Sequence, residues 1–160
     1  MKVAIVMGSK SDYPKIQEGI ELLEKFGVSV KVRALSAHRT PVQLTEFLNE
    51  IEDEVDVIVG AAGKAAHLPG VIASQTLIPV IGLPIKSSTM DGLDSLLSIV
   101  QMPKGIPVAT VAIDGGVNAA LLALQIMSLK YPKIKEDLVL YRQEMTNQVL
   151  EDDENLRGYW

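Results

Sequence analysis

Val3-Ala-Ile-Val-Met-Gly-Ser-Lys-Ser-Asp12 sets five apolar residues in unbroken succession before a glycine-serine turn. A strand with no polar alternation is covered on both faces, as in a parallel sheet. The turn opens into residues 13–26, where Ile16, Ile20, Leu23 and Phe26 fall at helical spacing and Gly27 closes the segment. Strand, loop and helix thus follow one another directly, as they do in the first part of a βαβ unit.

The same grammar recurs along the chain. Strands are expected at 28–35, 55–59, 79–83 and 107–113, all rich in β-branched residues. Helices are expected from Pro41, with Thr40 as N-cap, to about 52, then within 65–76, at about 92–100 and at 118–129, with a charged helix at about 132–152. Five apolar strands alternating with helices predict an α/β fold, a three-layer sandwich on a five-stranded parallel sheet. Right-handed crossovers favour the flavodoxin-like order 2-1-3-4-5. No linker, repeat or low-complexity tract interrupts the 160 residues, so a single domain over 1–160 is expected, its C-terminal helix packing on the core or on a neighbouring subunit.

Composition narrows the function. The net charge of −5 offers no general basic face, so neither nucleic acid nor an anionic membrane is an expected partner. The chain has no cysteine, which removes disulfides, thiolate catalysis and cysteine-ligated zinc and fits a cytoplasmic protein. Residues 65–85 hold a single titratable group, His67, but Pro69, Pro79 and Pro84 with Gly70 and Gly82 break the run too often for a membrane span. Residues 119–127 carry no charge on any helical face, so one side needs a partner, and a homo-oligomer is expected.

In an open α/β sheet the ligand sits beyond the carboxyl ends of the strands, at the switch point. For order 2-1-3 those are the first three strand-to-helix loops. The first, Gly8-Ser-Lys-Ser-Asp12, offers Ser9 and Ser11 hydroxyls and helix-start amides to an oxyanion, and Asp12 as acceptor for a ribose diol. The second, Ser36-Ala-His-Arg-Thr-Pro41, places an acid/base candidate, His38, beside a phosphate candidate, Arg39. The third, Gly60-Ala-Ala-Gly-Lys-Ala-Ala-His-Leu-Pro-Gly70, is a small-residue loop suited to cover a flat ring and carries His67. No G-x-G-x-x-G, P-loop, nucleophile elbow or zinc spacing is present. The residues alone reach a nucleotide-like phosphate ligand and histidine acid/base chemistry.

Residues 3–12 (VAIVMGSKSD), 36–41 (SAHRTP), 65–70 (AAHLPG), 93–103 (LDSLLSIVQMP), 105–113 (GIPVATVAI) and 118–123 (NAALLA) resemble signatures of the N5-carboxyaminoimidazole ribonucleotide mutases, nearly end to end and in the same order. The resemblance implies an isomerase of purine biosynthesis that needs no cofactor. It moves a carboxylate from nitrogen to the imidazole C4 of a ribonucleotide and works as a homo-octamer after an ATP-dependent synthase. It implies His38 as acid and base. Ser9, Ser11, Asp12, Ser36 and Arg39 would be ligands of the substrate's phosphate and ribose, and His67 would lie on a loop closing over the imidazole. A related branch that carboxylates aminoimidazole ribonucleotide with free CO2 lacks the histidine of the AAHLPG motif. Lys64 stands where the family usually has glycine. Two alternatives remain: that direct carboxylase, and a non-catalytic flavodoxin-like nucleotide-binding module.

Overall fold

A computed structural model describes residues 1–159. Strands β1 (Lys2–Met7), β2 (Ser29–Ala34), β3 (Val57–Gly63), β4 (Val80–Ile85) and β5 (Ala109–Thr110) form one sheet in the order β2-β1-β3-β4-β5. Every neighbouring pair is parallel, with Val3 opposite Val30 on one side and Val57 on the other. β1, β3 and β4, the uninterrupted apolar strands, are buried along nearly their whole length, as a doubly covered parallel sheet requires, whereas β2 alternates Val30 and Val32 with Lys31 and Arg33 and forms a largely exposed edge.

Helices α1 (Gln17–Lys25), α2 (Pro41–Ile51), α3 (Leu68–Ala73), α4 (Leu93–Val100) and α5 (Gly116–Met127) follow the five strands in turn, and α6 (Pro132–Arg157) ends the chain. On one face Ala4, Val6, Ile58 and Ala62 pack with Leu44, Phe47, Leu48 and Ile51 of α2, Leu68 and Ile72 of α3, and Ile99 of α4. The alternate residues Val3, Ile5, Met7, Val57 and Val59 turn to the opposite face and are equally buried. Two compact units divide the chain, one from Met1 to Ala123 with the sheet, the other helical from Leu124 onward.

Gly60 and Gly82 lie side by side in β3 and β4. A Cβ on Gly60 would come within 3.2 Å of Pro69, and one on Gly82 within 2.3 Å of Ile99 Cγ2. The bare backbone at the middle of the sheet lets the start of α3, and with it His67, press directly onto the strands.

Four elements depart from the sequence reading. Residues 10–15 form a 3-10 turn holding Pro14, and α1 begins only at Gln17. β3 runs on through Gly60-Ala-Ala-Gly63, so this small-residue stretch is strand, not loop. β5 pairs over two residues rather than seven. α6 continues to Arg157, one and a half turns beyond residue 152.

Candidate active site

The carboxyl ends of β1, β2, β3 and β4 open onto a cleft of about 640 Å³. Gly8, Ser9, Ser11, Asp12, Ser36, His38, Arg39, Lys64 and His67 line it, with Lys86, Ser87 and Ser88 from the loop after β4. Every residue assigned to the site from sequence lies in this one cleft. The loop after β4 was not anticipated, because the switch-point rule directs attention to the first three loops. Its Lys-Ser-Ser run directly after a parallel strand was the available signal.

The first loop is self-braced. The Ser9 N–H donates to Asp12 Oδ2 at 3.1 Å, the Ser11 N–H donates to Ser9 Oγ at 3.3 Å, and the Ser11 hydroxyl lies 2.9 Å from the same oxygen. These reciprocal bonds form a capping box at the start of the 3-10 turn. The Gly8 and Asp12 amides are also engaged, with Ala61 and Ser9 carbonyls. The amides of Gly8, Ser9, Ser11 and Asp12 are therefore taken, and the loop meets an anion chiefly with hydroxyl groups. Asp12 is buried, and burial pushes its carboxyl above the ordinary carboxylate value. The Ser9 amide, the Ser11 hydroxyl and the charge of Arg39 work the other way without cancelling it.

The second loop is closed by Thr40. Its hydroxyl accepts from the Ser36 N–H at 2.8 Å and donates to the Ser36 carbonyl at 3.1 Å. Thr40 is the N-cap of α2, with Pro41 in the first turn, but its side chain makes no bond to the helix and holds the His38-Arg39 turn instead. Ser36 Oγ accepts from both the amide and the Nε–H of Arg39, each at 3.3 Å. Arg39 Nη2 reaches across to donate to the Gly8 carbonyl at 2.9 Å. The guanidinium is thereby fixed between the first two loops, beside the serine hydroxyls.

The third loop is short because β3 is long. It turns at Lys64, whose φ of +57° lies in the left-handed region that glycine adopts without steric cost. Bonds from Ala66 N–H to the Lys64 carbonyl and from His67 N–H to the Ala65 carbonyl tighten it. His67 then precedes α3 and reaches back over the cleft. Its Nδ1 stands 2.8 Å from His38 Nε2, with the rings edge to face at 72°. Both imidazoles are exposed to the cleft. Among the described residues no cluster of three metal-ligating side chains occurs.

The arrangement sorts into three chemical zones. Serine hydroxyls and the Arg39 guanidinium are suited to an oxyanion, the Asp12 carboxyl is an acceptor beside them, and the paired imidazoles of His38 and His67 are suited to proton transfer.

The AIR carboxylase family model matches residues 2–148. An N5-carboxyaminoimidazole ribonucleotide mutase of Pyrococcus abyssi is 59% identical over 145 residues, covering 90% of this chain and 83% of its own. A Thermotoga maritima protein of the same name is 49% identical over 161 residues, covering 99% and 94%. The crystal structure of Treponema denticola PurE superposes with a TM-score of 0.88 at 31% identity, covering 97% of this chain and 98% of that one.

Proposed function

The chain belongs to the AIR carboxylase family, and we infer that it is an isomerase of purine biosynthesis, an N5-carboxyaminoimidazole ribonucleotide mutase. It moves the carboxylate of its substrate from the exocyclic nitrogen to C4 of the imidazole. The observation that carries this reading is the placement of His38 in one cleft with Arg39, the serine loop and His67.

The ribonucleotide's phosphate is held by Arg39, which matches it with a planar fork and a permanent charge, and by the Ser9, Ser11 and Ser36 hydroxyls. Asp12 accepts from the ribose diol. The base then lies against the small residues at the end of β3, with the two imidazoles beside it. His38 donates a proton to the exocyclic nitrogen. The N–C bond breaks with its electron pair left on nitrogen, giving CO2 and the aminoimidazole ribonucleotide. C4 attacks the CO2 carbon, and His38 takes the C4 proton, returning that electron pair to the ring. The proton given first is recovered last, so no cofactor is consumed. Retention of CO2 between the two steps depends on closure of the cleft by substrate and by the His67 loop.

Eight copies of the chain form the working assembly in this reading. Leu93, Leu97 and Val100 of α4 are near half exposed, and Val139, Leu140, Met145, Val149 and Leu150 of α6 exceed half. Apolar surface on that scale supports burial against further copies. No helix among the described residues is long and apolar enough to cross a membrane. In this reading the enzyme works in the cytoplasm, fed by an ATP-dependent N5-carboxyaminoimidazole ribonucleotide synthase.

The test is His38→Asn, which keeps shape and some hydrogen bonding but cannot carry a proton near neutral pH. Turnover is expected to fall by about 10²–10⁴-fold with ribonucleotide binding retained. A His38→Asn enzyme of near wild-type turnover overturns the assignment of His38 as acid and base.

A further inference from the structure

His38 and His67 meet through one ring nitrogen each, Nε2 of the first and Nδ1 of the second, 2.8 Å apart. At that distance one hydrogen lies between them; two would collide. The hydrogen count of the pair follows. With one positive charge, three hydrogens occupy four nitrogens: one on His38 Nδ1, one shared, one on His67 Nε2. When the proton leaves His38 Nδ1, the shared hydrogen rests on His38 Nε2 and points at the bare Nδ1 of His67. The same bond therefore stands before and after the transfer. Among the described residues no side chain or backbone group bonds His38 Nδ1, and no carboxylate bonds either ring.

A catalytic imidazole is ordinarily kept in one tautomer by a third group on its far nitrogen, most often a carboxylate. Among the described residues the only group in that place is a second imidazole. Resting on the mutase reading above, we propose that His67 is a positioning residue: its Nδ1 holds the hydrogen of His38 Nε2, so that His38 gives and takes its proton at Nδ1, and the pair works as one acid of a single charge. Nδ1–H of His38 supplies the hydrogen for the exocyclic nitrogen as the N–C bond breaks. The C4 hydrogen returns to the same atom after the C–C bond forms. No hydrogen leaves the pair at His67. The other charged groups facing the pair are Arg39 on the His38 loop, Lys64 at the base of the His67 loop, Asp12 in the 3-10 turn and Lys86 after β4.

Only two histidines exist in the chain, so imidazole ¹⁵N spectra of the free, assembled protein show these two rings alone. In the wild type neutral His38 is expected to carry its hydrogen on Nε2, with His67 Nδ1 as the acceptor. His67→Asn puts an amide oxygen near the place of Nδ1, and should keep that tautomer and turnover within about tenfold. His67→Leu removes the acceptor and should release the tautomer, lowering kcat about a hundredfold with KM little changed. A purely covering role for His67 predicts instead equal losses in the two variants, concentrated in KM. A neutral His38 with its hydrogen on Nδ1, or equal kcat in the two variants, overturns the proposal. A wild type without mutase activity whose His38 carries its hydrogen on Nε2 would overturn the mutase reading and leave the pairing standing.

Discussion

Arg39→Ala tests the proposed phosphate subsite apart from everything else in the cleft. The guanidinium has two protein bonds, from Nη2 to the Gly8 carbonyl at 2.9 Å and from Nε to Ser36 Oγ at 3.3 Å. Both lie at the exposed rim, where solvent replaces them, so the melting temperature should stay within about 4 °C of wild type. The ligand loses a bidentate, charge-assisted contact of roughly 1.5–3 kcal/mol, which is about ten- to 150-fold in Kd. Calorimetric titration with the product nucleotide and with its dephosphorylated nucleoside gives a four-way comparison. The substitution should weaken the nucleotide by that factor and leave the nucleoside nearly unchanged. Arg39→Lys keeps the charge without the fork and should fall between. Equal weakening of nucleotide and nucleoside would refute the placement of phosphate at Arg39.

Asp114 tests the electrostatic bracing behind the cleft. Burial works to raise its carboxyl, but the Lys15 ion pair at 2.8 Å, the Lys86 amide and both lysine charges outweigh it and hold it below the ordinary value near 3.8. Its stabilising contribution is therefore complete above that value and is lost as pH falls through the lower folded value. Asp114→Asn should lower the neutral-pH melting temperature and flatten its decline below about pH 4, as followed by calorimetry. Gly60→Ala tests the coupling of sheet to site: its Cβ would stand 3.2 Å from Pro69, two residues past His67, and should displace the start of α3. Turnover should drop by about tenfold or more with a stability loss near 1–3 kcal/mol in urea unfolding.

Apolar continuity in β1, β3 and β4 made the fold legible, because only a doubly covered sheet accepts such strands. The site loops were legible because the switch-point rule converts strand order into position. What escaped reading depended on partners distant in sequence. Gly60-Ala-Ala-Gly63 has a loop's composition, yet it forms strand because β4 pairs with it and because Pro69 and Ile85 need the room that side chains would fill. Val108 and Val111 have strand propensity, but β4 pairs with only Ala109 and Thr110 at the sheet edge. Thr40 resembled an ordinary helix cap, and nothing local showed that its hydroxyl would close the His38 turn. The meeting of His38 with His67, twenty-nine residues apart, likewise required the register of β1 between β2 and β3.

Intramolecular transfer of the carboxylate is tested most directly by isotope. Substrate carrying ¹³C in its N-carboxylate would be turned over in excess unlabelled bicarbonate, and the product's C4 carboxylate assayed by mass spectrometry. A CO2 that stays in the cleft between bond breaking and bond making predicts that most of the label appears at C4. Product whose carboxylate matches the dissolved bicarbonate pool would contradict the mutase mechanism and identify direct carboxylation with free CO2.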